Sequence, residues 1–258
     1  MNTVITENSQ VSATVDPEIE EMMKCGVHVG HIRSKRNPGI LPYLWGMRNN
    51  VDIIDLAATK EKLQEALTFL HRMAKESKVF LLVGTRPSSK NLVRAIADEL
   101  GLPYVNQRWI GGTLTNFKVI RKRVEHLENM EQDRASGGFE KYTKKERIKK
   151  DEEMAKLINN FEGLRRMAKL PDVVVIADTA HDDLALREAK RLKIPVLALA
   201  DTNTDPRAVE HPIPANNDAK TAVAYILGRI KASIENGRRE AEEAASKIAA
   251  DSSTKESS

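Results

Sequence analysis

The sequence predicts an α/β protein: a parallel sheet flanked by helices and interrupted by an inserted antiparallel coiled-coil hairpin. Three observations carry this. Short, uniformly apolar runs at residues 79–83, 173–177 and 194–200 alternate with amphipathic stretches of helical length, the pattern of strands buried on both faces. No proline falls between Pro103 and Pro171, and apolar residues repeat there at helical spacing. A chain of 258 residues, 41% of them hydrophobic, is long enough for one large core or two ordinary ones.

The elements follow in order. Residues 1–20 read as a disordered acidic tail, polar and without periodicity at the start. Residues 51–56 read as a strand, 59–76 as a helix carrying Leu63, Leu67, Leu70 and Ala74, and 79–83 as the next strand, together a βαβ unit. Pro87 and Gly101 bracket a second helix, proline at its start and glycine just past its end. A third strand is expected over 102–105. In the middle, Leu114, Phe117, Ile120, Val124, Leu127 and Met130 form one helical stripe, and Met154, Ile158, Phe161, Leu164 and Ala168 a second. Gly137-Gly138 marks the turn, and Thr143 with Glu146 has the spacing of a capping box. The hairpin is assigned to 113–170 and, at about 1.5 Å per residue, would project about 30 Å. A strand at 173–177, a helix at 182–192, a strand at 194–200 and a helix at 218–236 complete an α/β domain over 21–112 and 171–236. Residues 237–258 read as a disordered tail.

Charge narrows the function. Residues 1–23 carry Glu7, Asp16, Glu18, Glu20 and Glu21 and no base, whereas 24–48 carry Lys24, Arg33, Lys35, Arg36 and Arg48 and no acid. The 117–150 segment adds a further excess of five bases. Concentrated basic segments on an otherwise near-neutral body are the footprint of a polyanion binder. No run approaches the ~20 apolar residues that span a bilayer, and the first twenty residues hold no Lys or Arg, so neither a membrane span nor a secretory signal is expected. Cys25 is the only cysteine, which excludes an internal disulfide and suits a cytoplasmic address.

Several motifs carry possible chemistry. Residues 84–91 follow a strand and open a helix, close to a phosphate-binding loop, but Ser89 stands where the second glycine belongs and Asn91 where the magnesium hydroxyl belongs; Arg86 there could still hold an RNA phosphate. Asp178, Asp182, Asp183, Asp201 and Asp205 fall at strand ends, as cation ligands or as helix caps and turns. Cys25, His28 and His31 are spaced as an incomplete zinc set or as packing and RNA contacts. Arg108 and Trp109 join the sheet to the hairpin, Trp109 either stacking on a base or packed as an anchor. A nucleotide or sugar-phosphate enzyme on the same doubly wound fold is the rival reading, and a protein-interaction scaffold a third.

Taken together, Gly26-Val27-His28-Val29-Gly30-His31, Asn37-Pro38, Arg48-Asn49, the 106–116 segment from Asn106 through Arg108, Trp109, Gly111 and Gly112 to Asn116, Leu170-Pro171-Asp172 and the 201–206 segment resemble the bacterial-type small-subunit ribosomal protein S2 family. The likeness runs in order from about 20 to 236. It implies a flavodoxin-like fold with an inserted coiled-coil hairpin and no enzymatic activity. It also implies binding to small-subunit ribosomal RNA late in assembly, between head and body, and help in docking ribosomal protein S1. The implied protein is a monomer within the ribosome, with RNA and other small-subunit proteins as partners and no cofactor or metal. The expected RNA contacts are His28, His31, Arg33, Lys35, Arg36, Asn37, Arg48 and Asn49 on the α/β domain and Arg86 on its loop. Arg108 and Trp109 follow at the hinge, then Lys118, Arg121, Lys122, Lys144, Lys145 and Lys149 on the arm. At 32–36 the sequence Ile-Arg-Ser-Lys-Arg lacks the aromatic residue that relatives often carry before Asn-Pro.

Overall fold

The computed structural model describes residues 16–255, with side chains to residue 246. In chain order the elements are α1 (Pro17–Lys24), β1 (Val29–Ile32), β2 (Leu44–Arg48), β3 (Val51–Ile54), α2 (Leu56–Lys75), β4 (Phe80–Val83), α3 (Lys90–Leu100), β5 (Tyr104–Val105), α4 (Phe117–Ala135), α5 (Lys144–Phe161), β6 (Val173–Ile176), α6 (Asp183–Arg191), β7 (Val196–Ala200), β8 (His211–Pro214) and α7 (Lys220–Lys255).

Five strands form a parallel sheet in the order β5-β4-β6-β7-β8. Numbered within the sheet this is 2-1-3-4-5, the flavodoxin-like winding. Strands β4, β6 and β7 are uniformly apolar because successive residues enter different cores. Phe80, Leu82, Val173, Val175, Leu197 and Leu199 face α2, α3 and α7. Leu81, Val83, Val174, Ile176, Val196 and Ala198 face α6 and the base of the helical hairpin.

The second core runs on into the hairpin. Ile120, Val124, Leu127 and Met130 of α4 and Met154, Leu157 and Phe161 of α5 are buried in one cluster with the sheet residues. Thr143 caps α5 with the reciprocal Glu146 bonds that its spacing announced. At the arm's base an added Cβ on Gly163 would run into the Tyr104 carbonyl, so only glycine lets the chain leaving α5 lie against β5.

The structure corrects the sequence reading in four places. β3 does not start a βαβ unit: it is the centre strand of a separate antiparallel sheet, β1-β3-β2. Asn49 and Asn50, both at positive φ (50° and 62°), join β2 to β3, the backbone a two-residue type I′ hairpin turn demands. Residues 211–214, unassigned from sequence, form edge strand β8, where Pro212 and Pro214 are tolerated. Helix α1 begins at Pro17, capped by Asp16, so part of the expected acidic tail is ordered; residues 1–15 lie outside the described residues. Helix α7 continues past residue 236 to Lys255. Arg238 reaches the Leu100 carbonyl and Glu240 pairs with His71 and Lys75, which holds the start of the expected C-terminal tail against the domain; residues 256–258 lie outside the described residues.

Candidate nucleic-acid interface

The small sheet is clasped to the parallel sheet through its inward residues. An added Cβ on Gly30 would collide with the Thr202 side chain and crowd the Asp52 carbonyl, so β1 lies directly on the loop after β7. The His31 backbone N–H donates to Thr202 Oγ1 (2.8 Å), and the Asn37 N–H to the Thr202 carbonyl (2.8 Å). The Asn37 side chain accepts from the Gly39 N–H. Arg36 forks onto the fully buried carboxylate of Asp52. His31 lies between two carboxylates, with Nδ1 3.0 Å from Asp201 and Nε2 3.2 Å from Asp218. The bond to Asp201 raises its pKa against the opposing effect of burial.

These contacts divide the 28–37 segment. His31, Arg36 and Asn37, expected on RNA, are internal fastenings. His28 is half-buried, its Nδ1 without a partner and its carbonyl accepting from Ile54. Arg33, Lys35, Arg48 and Asn49 stay exposed, and the three cations have no carboxylate partner among the described residues. Cys25 and His28 do not complete a ligand set with His31. The group whose donor atoms lie within 4.8 Å of one another is His31, Asp201 and Asp218, an imidazole and two carboxylates able to serve either as an ion-pair clasp or as a divalent-cation donor set.

The carboxyl edge of the parallel sheet, where open α/β folds bind ligands, is closed by its own groups. Arg86, expected on an RNA phosphate, donates to Asp178 (2.7 Å) and Asp218 (2.6 Å). Thr85 donates through Oγ1 to Asp182 (2.7 Å), and Ser88 to the Asn217 carbonyl (2.9 Å). Asp178 also takes the Ala180 and His181 amides, and Asp205 caps the 3-10 turn Pro206–Ala208. Asp183 lies outside this network, exposed and paired with Arg187 (2.7 Å). The edge gathers the carboxylates of Asp178, Asp201 and Asp218 about the Arg86 guanidinium, with Asp182 held by Thr85, so the one cation on this loop is already answered by the protein's own acids. This removes the local support for the nucleotide-enzyme reading.

At the hinge, sequence reasoning missed the organising residue. Glu188 on α6 is buried and accepts five hydrogen bonds of 2.7–3.0 Å: from Trp109 Nε1, the backbone N–H groups of Gly112, Leu114 and Thr115, and the Thr115 hydroxyl. Burial acts to raise its pKa, but the donors win and hold it below the ordinary carboxylate value. Trp109 is thereby a buried anchor, not an exposed stacking ring, while Arg108 beside it faces solvent. On the arm, Lys118, Lys122, Lys144, Lys145 and Lys149 are exposed without a carboxylate partner among the described residues, whereas Arg121 is half-buried and leans on the Arg165 carbonyl (3.4 Å).

The chain is similar to known proteins over most of its length. A family model described as Ribosomal protein S2 matches residues 22–237. The chain is 40% identical over 220 residues to the small ribosomal subunit protein uS2 of Dictyoglomus thermophilum, covering 85% of this chain and 89% of that one. It is 41% identical over 215 residues to the protein of the same name from Thermus thermophilus, covering 83% and 84%. It is 40% identical over 219 residues to the small ribosomal subunit protein uS2c of Rhodomonas salina, covering 85% and 90%.

Proposed function

The chain belongs to the ribosomal protein S2 family, and from that premise we propose that it is a structural constituent of the small ribosomal subunit, bound to its RNA through two separated basic surfaces. It is a structural protein and not an enzyme. One surface is the small sheet with Arg33, Lys35 and Arg48; the other is the arm with Lys118, Lys122, Lys144, Lys145 and Lys149, and Arg108 lies between them. The observation that carries this reading is that these side chains are exposed and lack carboxylate partners among the described residues, while Arg36 and Arg86 are neutralised internally. Cations left unpaired by the fold are those available to phosphates.

Specificity then comes from matching the shape of folded RNA at two patches whose spacing the hinge fixes. Joining late, between head and body, and supporting the docking of ribosomal protein S1 belong to the same proposal, on the strength of the family resemblance. A cytoplasmic, ribosome-bound location goes with it; among the described residues no helix is long and apolar enough to cross a membrane.

The test is sedimentation of a tagged copy through a sucrose gradient at low and high salt. Co-migration with the small subunit at low salt and release at high salt is the expected result. Migration as an unattached protein at low salt would overturn the reading. Small subunits lacking this chain should also fail to retain S1, and unchanged retention would remove that part.

A further inference from the structure

We propose that Trp45 is a stacking platform for an unpaired nucleotide of the bound RNA, on the same small sheet that presents Arg33, Lys35 and Arg48. The proposal rests on the RNA-binding reading above and adds to it a site that reads single strands. Of the two tryptophans, Trp109 is buried and hydrogen-bonded, whereas Trp45 is 77% exposed. The strand register explains why. Leu44 pairs with Ile54 and Gly46 with Ile53, so β2 carries one residue more than β3 at this point, and Trp45 is that residue. A bulge re-aims the side chain it carries, here into solvent. Gly46 beside it has nothing within 4 Å of where a Cβ would stand, so no side chain rises from the next position of the strand.

Charge selects the occupant. Arg33 is tied to the turn end of the hairpin by its N–H bond to the Asn50 carbonyl (3.0 Å), the end at which Arg48 closes β2, and Lys35 lies one short turn further on. Asp52, the only acid within the small sheet, is fully buried against Arg36. An exposed indole at one end of a small sheet and unpaired cations at its turn end, with no exposed carboxylate within its strands, complement a strand that offers both a base and phosphates. An apolar protein segment would leave those cations unanswered. The second signal is the contrast within the chain: the hinge indole, expected from sequence to stack, is buried, and the other is presented.

The experiment uses the full chain and its intrinsic fluorescence, titrated with a short oligouridylate strand and, separately, with an RNA duplex of equal length. The single strand should quench the solvent-exposed emission of Trp45, and Trp45→Phe should retain binding but lose the quenching, because the remaining Trp109 is buried. Trp45→Ala should weaken single-strand binding by about tenfold, within the range for one base–aromatic stack, and leave duplex affinity unchanged. An exposed side chain is removed, so the variant's melting temperature should match the wild type. Single-strand affinity of Trp45→Ala equal to that of the wild type, or an equal loss on both RNAs, would overturn the platform while leaving RNA binding intact. Loss of a small-subunit protein from reconstituted particles, with RNA affinity unchanged, would overturn it in favour of a protein contact. Failure of the wild-type chain to bind either RNA would remove the underlying reading together with the platform.

Discussion

Replacing Glu188 by Gln keeps its shape but turns one of its oxygens into a donor, facing N–H or O–H groups that need acceptors. Buried donors left unanswered cost about 1–3 kcal/mol each when they find no other partner, so Glu188→Gln should lower stability by about 2–4 kcal/mol. For a chain of this size that is a fall in Tm of roughly 5–10 °C, readable by calorimetry. The wild-type carboxyl has its folded pKa depressed. Its contribution is therefore present above the unfolded value of about 4.3 and lost as pH falls through the folded one, so wild type should be the more acid-sensitive protein. His31 works in the opposite sense. Its folded pKa is raised by Asp201, so its stabilisation is complete below the unfolded value of about 6.5 and lost as pH climbs through the folded one. His211, stacked on Phe69 at 4.1 Å with its pKa pushed down by burial, opposes it in the same window. The measurement is thus a difference: the stability gap between wild type and His31→Gln should shrink as pH rises from about 6 to 8.5, and a constant gap would mean that the clasp does not favour the charged imidazole.

Elements are legible in the sequence where one force dominates their pattern. The inner strands β4, β6 and β7 read as pure apolar runs and lie within a residue or two of those runs, and the arm's stripes mark the seam that its two helices bury. β1 and β2 escape such a reading because they are short, half-exposed and held by side-chain pairs to distant residues, such as His31 to Asp201, that no local window contains. The same blindness explains the site: Arg36 and Arg86 read as surface cations because their partners Asp52, Asp178 and Asp218 arrive through the fold. Trp45 gives no signal because a bulge, invisible in the residue pattern, decides which way it points. The arm's tip supplies a test at this scale. Thr143 and Glu146 satisfy the first amides of α5 reciprocally, so Thr143→Ala should cost about 1 kcal/mol locally. Amide exchange over residues 144–147 should accelerate several-fold with the global Tm nearly unchanged, since the tip lies far along the chain from the sheet; protection equal to wild type would show that the cap is idle.

Across the whole molecule, charge is sorted by function. Acids and bases on the clasped faces cancel one another, as Arg36 with Asp52 and Arg165 with Glu131 do. The cations left over include two groups, on the small sheet and on the arm, which share no hydrogen bond or ion pair among the described residues and are connected through the hinge that Glu188 fastens. Two such patches should act independently on RNA, because sites without shared partners add. Each phosphate neutralised contributes about −0.7 to −0.9 to the slope of log affinity against log salt. Converting Arg33, Lys35 and Arg48 to Gln should therefore flatten the slope by about 2–3, converting Lys144, Lys145 and Lys149 should do the same, and the combined variant should lose about the sum. Filter binding to small-subunit ribosomal RNA over a salt series measures all three. A slope that responds to one patch alone would mean that the other faces protein or solvent in the particle. A less-than-additive sum would mean that both patches compete for one stretch of RNA, and the arm would then be a second grip on the same helix, not a bridge between two.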